Sequence, residues 1–277
     1  MPTAARRASG RRTGAATGAV PWQLLVPAGV GLLLLLLPVV GLLVRAPWST
    51  LPSRLDDPEV LQALRLSLVT ATAATGCCLV LGTPLAWLLA RTTVPGRRAV
   101  RALVTVPLVL PPVVGGVALL TAFGRNGVAG QWLDDAFGIT LPFTTLGVVV
   151  AQTFVALPFL VLAVEGALRS ADARFDDLAA TLGASRWQAF RRVTLPLAAP
   201  GLLSGAVLAW ARALGEFGAT ITFAGSYPGT TRTMPLAVYN ALNTDFESAI
   251  LLSLVLLVVS VGVLALLRDR WMAGGVG

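Results

Sequence analysis

Six long apolar stretches, at about 23–44, 61–90, 100–123, 143–167, 198–224 and 248–268, constrain this chain more than any other feature. Crossing a hydrocarbon layer of about 30 Å takes about 20 apolar residues in a helix. Inside lipid every backbone polar group must be paired within the protein, which leaves helices or closed barrels, and stretches of this length select helices. The expected fold class is all-α, a polytopic membrane protein with six transmembrane helices. Only 12% of residues are charged, half the value of about 25% for a soluble domain. The stretch 61–90 is long enough to tilt or to project into water.

Arginine sets the orientation. The N-terminal tail carries Arg6, Arg7, Arg11 and Arg12; the connection after the second stretch carries Arg91, Arg97, Arg98 and Arg101. The connection after the fourth carries Arg169, Arg174, Arg186, Arg191 and Arg192, and Arg268 and Arg270 lie near the C-terminus. The opposite connections hold Arg45, Arg54, Arg125 and Arg232. The positive-inside rule places both termini and the connection around 172–196 in the cytoplasm. The expected organisation is a disordered basic cytoplasmic tail at 1–22, a membrane domain at 23–268 and a short cytoplasmic tail at 269–277. The run that follows the basic tail is too long for the core of a cleaved signal.

Several function classes fall away. The chain has no histidine and no lysine, so the commonest general base and the phosphate-cradling Gly-rich lysine loop are both missing. Cys77 and Cys78 are adjacent within an apolar run and lack metal-site spacing. No metal or cofactor is expected on this chain. The net charge of +8 comes from arginines distributed between spans, a pattern for membrane lipid and topology rather than nucleic acid.

The connection at about 172–196 reads as two short helices with a break. Phe175, Leu178 and Leu182 recur at helical spacing, and Asp172, Asp176 and Asp177 load the first turns with negative charge. Gly183 suits the left-handed position after a helix. Ser185 and Gln188 have capping-box spacing. Trp187, Phe190 and Val193 form an apolar stripe between arginines, and Pro196 is expected to end the second helix. On the residues alone, an amphipathic segment lying on lipid headgroups is an equal alternative.

Within the third stretch, Pro107, Pro111, Pro112, Gly115 and Gly116 predict a broken helix whose second half starts near Pro112. Free N–H groups there would suit a passing anion; close helix packing at the glycines is the other reading. In the fifth stretch Arg212 and Glu216 are one turn apart and are expected to form an intramembrane ion pair, structural before functional. Gly215, Phe217, Gly218 and Thr220 flank it as pathway candidates. In the outer connection, Arg232 marks a rim and Pro235 starts a helix over 235–242, whose apolar face is expected to lie over the pore mouth as a lid.

The order acidic–x–Ala–x–x–x–Gly, nine residues, aliphatic–x–Leu–Pro, carried by Asp177, Ala179, Gly183, Val193, Leu195 and Pro196, resembles the EAA loop of ABC importer permeases. Asp177 stands where Glu is usual and Leu178 where Ala is usual. The runs 110–116 and 211–242 are similar to the molybdate/sulfate branch of that family, the molybdate permeases most of all. The resemblance implies a type I importer architecture in which the loop docks into a cytoplasmic ATPase, with Ser185 and Trp187 as further contacts. It also implies a homodimer, two ATP-binding-cassette ATPase subunits that use the ATP, and an extracytoplasmic oxyanion-binding protein. The expected function is ATP-driven import of a tetrahedral oxyanion, molybdate first and tungstate next. A sulfate/thiosulfate permease is the alternative, and a membrane-bound enzyme or scaffold a remote one.

Overall fold

The computed structural model describes residues 22–50, 56–93, 95–172 and 174–273. Of the expected tails at 1–22 and 269–277, residues 1–21 and 274–277 lie outside them. All regular structure among the described residues is helical. Helix α1 (Trp22–Arg45) forms a unit of its own; its side chains are exposed nearly throughout, with Pro27 and Pro38 inside it. An apolar helix of this length is stable where lipid surrounds it.

The second unit follows from Ala46. It comprises α2 (Pro58–Arg91), α3 (Arg97–Val109), α4 (Pro112–Phe123), α5 (Gly130–Phe137) and α6 (Thr145–Ser170). The chain continues through α7 (Arg174–Thr181), α8 (Arg186–Leu197), α9 (Ala199–Leu214), α10 (Gly218–Ala224), α11 (Met234–Leu242) and α12 (Phe246–Ala273). Helix α6 is the centre, packed against α2 and α9, which also meet each other. The approach is close because the facing residues are small. A Cβ on Gly82 would lie 2.6 Å from Leu160 Cδ2, and one on Gly205 would lie 3.2 Å from the Ala163 Cβ. Buried Ala71, Ala74, Cys78, Ala86, Ala156, Leu160, Val164 and Ala209 fill the seam. Without a hydrophobic drive inside lipid, such packing of small residues is what holds spans together.

Among the described residues, four helices are long and apolar enough to cross a membrane, or six if two bent pairs each count as one span. The third expected span is the pair α3 and α4, bent by 120°. Leu110 is extended, as a residue before proline prefers, and the Pro111 carbonyl accepts the Gly115 N–H to restart the helix. The fifth differs more from expectation. Instead of one helix over 198–224, α9 ends at Leu214 and α10 starts at Gly218. At its other end α9 meets α8 at 69°.

Candidate functional site

The helical break in the 172–197 connection is built as its residues dictate. Gly183 has φ +83°, its N–H bonds the Ala180 carbonyl at 3.0 Å and the Ala184 N–H bonds the Ala179 carbonyl at 3.0 Å. That is a Schellman ending. Ser185 then caps α8: its Oγ accepts the Gln188 N–H at 3.3 Å, and the Gln188 Oε1 accepts the Ser185 N–H at 2.8 Å. Pro196 does not end α8. A π-helical turn over Phe190–Thr194 precedes it, in which the Leu195 N–H bonds the Phe190 carbonyl, and the helix runs on to Leu197. The wider turn absorbs the donor that proline lacks.

Two faces result. Outward, Phe175, Leu178, Leu182 and Trp187 are 50%, 56%, 86% and 66% exposed, with Asp177 and Gly183 also exposed and Ala179 half-buried. So much apolar surface beside charged residues marks an interaction surface. Inward, the loop is latched to the last turn of α2. Asp176 accepts a hydrogen bond from buried Thr194 at 2.7 Å and faces the Arg91 Nε at 3.6 Å. Arg91 also donates to the Ala171 carbonyl at 3.1 Å. Trp187 stacks on Phe190, centroids 5.5 Å apart, and Phe190 meets Trp87 of α2 edge-on at 6.0 Å. Val193 and Leu195 are half-buried, and Pro196 is exposed. The latch pair Asp176 and Arg91 was not distinguished by sequence, since its members are 85 positions apart.

The second break, at Gly215–Glu216–Phe217, lies against α4. Glu216 is 1% exposed; its Oε2 lies 2.5 Å from the Arg212 Nη2, and its Oε1 accepts the Ala219 N–H at 2.7 Å. The expected ion pair is present, and the same carboxylate also fills the N-terminus of α10. A Cβ on Gly218 would come within 2.6 Å of the Pro112 Cβ, and one on Gly116 within 2.5 Å of the Thr222 Cβ. Gly115 faces the Phe154 ring. Gly116 and Gly218 are therefore buried in an α4–α10 packing seam, Gly115 is buried against α6, and Thr220 is buried on α10. Pro111, Pro112, Val113, Val114 and Gly215 are exposed beside the seam, and Phe217 is half-buried with its ring 4.9 Å from that of Tyr239.

At the end opposite the loop, α11 starts at Met234, with Pro235 in its first turn. Met234 and Leu236 are buried, and Met234 and its neighbours pack with Ala63 of α2 and Leu251, Leu252 and Val255 of α12, while Tyr239 and Leu242 stay about half exposed. Arg232 donates to Ser226 Oγ at 3.3 Å and faces the Glu59 carboxylate at 3.7 Å. Arg232, Asp57, Glu59, Asn240 and Asn243 share a cavity of about 590 Å³. Acidic groups in the same cavity weaken any anion-attracting rim there.

A family profile described as "Binding-protein-dependent transport system inner membrane component" matches residues 82–274. The chain belongs to this family. It is a permease subunit, the membrane component of an ABC importer, and ATP is hydrolysed by a partner ATPase. The permease is 49% identical over 241 residues to the molybdenum transport system permease protein ModB of Mycobacterium tuberculosis, covering 87% of this chain and 91% of that one. It is 43% identical over 219 residues to ModB of Escherichia coli K12 (79% and 95%). To the sulfate transport system permease protein CysT of Escherichia coli K12 it is 36% identical, over 82% of this chain and 83% of that one. Its fold matches the crystal structure of a bacterial ABC transporter involved in the import of the acidic polysaccharide alginate. That match has a TM-score of 0.72 at 18% identity, and covers 91% of the permease and 94% of that chain.

Proposed function

We propose that the permease moves molybdate across the cell membrane as a homodimer, driven by two ATPase subunits that dock on its 172–196 loops and supplied by an extracytoplasmic oxyanion-binding protein. Both termini are cytoplasmic in this reading, as arginine placement supports. The observation that carries the coupling role is the exposed apolar face of Phe175, Leu178, Leu182 and Trp187 on a loop latched from behind to α2. A surface that must transmit a push needs a sticky outer face and a stiff attachment, and both are present. Asp177, Ser185 and Trp187 belong to the docking side; Val193, Leu195 and Pro196 carry the loop into α9. The EAA-like pattern occurs once, at 177–196, so two docking loops require two copies, and two-fold dimers are the commonest assembly.

The choice of molybdate rests on similarity at 49% to a molybdenum permease against 36% to a sulfate permease. The route runs beside the α4–α10 seam at Pro111, Pro112, Gly215 and Phe217, completed at the two-fold axis by the second copy. Arg212 and Glu216 hold that seam rather than the passing ion, because the carboxylate largely cancels the field of the guanidinium. The reading is tested in proteoliposomes holding the permease, its ATPase and its binding protein. ATP-dependent molybdate uptake should proceed with a hundredfold excess of sulfate outside. Uptake of sulfate in preference would move the chain to the sulfate permeases, and a requirement for a second, different permease would remove the homodimer.

A further inference from the structure

We propose that Arg97, Arg98, Arg101 and Arg169 form a binding site for the headgroup of an anionic glycerophospholipid, whose acyl chains lie along the apolar part of α3. The four guanidiniums line one cavity of about 320 Å³. One buried carboxylate answers them: Glu165, 4% exposed, bonds Arg101 and lies 2.9 Å from the Arg169 Nη2. Glu165 thereby fixes two of the arginines. Arg97 donates to the Thr92 backbone carbonyl at 3.3 Å, and no carboxylate pairs with Arg97 or Arg98 among the described residues. The cluster so keeps an excess of positive charge. The Arg101 Nε is buried without a hydrogen-bond partner. Helix α3 starts at the same place, from Gly96 with φ +83° and with no side chain capping it. Uncapped N–H groups next to guanidiniums are what a phosphodiester oxygen needs.

Position and shape choose a lipid over a soluble anion. Arg169 sits in the last turn of the apolar helix α6, at the same end as the latch, where a span leaves the hydrocarbon. None of α3 is buried, and Leu103, Val106, Leu108 and Val109 are 71%, 40%, 41% and 84% exposed. Arg98 and Leu108 are ten positions apart, about 15 Å along the helix axis. One helix therefore offers a basic end at headgroup depth and an apolar end beyond it, the two halves of a phospholipid. This inference is independent of which ion the permease carries.

The test uses the intact transporter purified in detergent and analysed by native mass spectrometry after incubation with phosphatidylglycerol or phosphatidylcholine. Wild type should retain phosphatidylglycerol over phosphatidylcholine by about tenfold, equivalent to about 1.4 kcal/mol. The double variant Arg97→Gln/Arg98→Gln should lose that preference while keeping its membrane yield and thermal midpoint, and Arg97→Lys/Arg98→Lys should keep most of it. Millimolar inorganic phosphate should not displace the lipid. Equal retention of the two lipids, or a preference that survives Arg97→Gln/Arg98→Gln, overturns the site. Displacement by inorganic phosphate overturns it in favour of a soluble anion. Cross-linking of Arg98→Cys to its own copy or to the ATPase in the intact transporter overturns it in favour of a protein interface.

Discussion

The chain interrupts its helices at Gly183 and at Gly215–Phe217, and the two breaks are made by different means. At Gly183 the cause is local. The backbone sits at φ +83°, no heavy atom lies within 4 Å of where a Cβ would be, and the bonds that close and restart the helices span at most five residues. At 215–217 no proline is present and no glycine has positive φ. The break is held by Glu216, which pairs with Arg212 and caps α10, and by Gly218, which admits Pro112 of α4. One break is conformational and exposed; the other is tertiary and lies in the packed seam. The first can change its surroundings without changing itself, which suits a coupling element. The second can move only together with α4.

That contrast predicts where mutations hurt. The largest effect is expected from Arg212→Ala, which strands a carboxylate that is 1% exposed. Losing one partner of a buried pair costs about 3–5 kcal/mol, and the partial exposure of Arg212 puts this case at the lower end. Membrane yield and the thermal midpoint in detergent should both fall, and Arg212→Ala/Glu216→Ala should recover part of the loss. Normal yield from the single variants, with transport alone lost, would move the pair from the seam to the pathway.

Gly218→Ala comes next. Its Cβ would sit 2.6 Å from the Pro112 Cβ, and neither backbone nor ring can swing away. Overpacking of this kind costs about 1–3 kcal/mol. The thermal midpoint should drop although the change is a single methyl group. An unchanged midpoint would show that the seam is looser than the structure has it.

Asp176→Asn should do least to stability and more to coupling. It weakens the contacts to Arg91 and to buried Thr194; the ion pair is long at 3.6 Å and Asp176 is partly exposed, so the loss is about 1 kcal/mol. ATP hydrolysis by the assembled transporter should continue while molybdate moved per ATP declines. An unchanged ratio would show that the latch plays no part in transmission.

The sequence carried the first break and not the second, for the same reason. Gly183, Ser185 and Gln188 act on neighbours a few residues away, so a glycine after the helix predicts the left-handed ending and the Ser185–Gln188 spacing predicts the capping box. The α3–α4 bend was equally legible, because Pro111 and Pro112 force it whatever packs nearby. The split of 198–224 into α9 and α10 was not. Arg212 and Glu216 at i,i+4 fit a continuous helix, and the contact that opens it comes from Pro112, far away in sequence. The end of α8 was misread at Pro196 because a π turn two residues earlier rescues the missing donor. At 235–242 the apolar face was visible in sequence, but the α2 and α12 residues that pack on its Met234 side were not.

The central claim is that the loop broken at Gly183 transmits the ATPase stroke to the spans. The most direct measurement takes Gly183→Val in reconstituted transporters and follows ATP hydrolysis, ATPase retention and molybdate uptake in the same vesicles. The left-handed backbone costs a branched residue about 1–2 kcal/mol, and the open space around it confines the damage to the loop. The account predicts unchanged membrane insertion, weakened retention of the ATPase and loss of uptake. Uptake at the wild-type rate by a stably inserted Gly183→Val permease would contradict it.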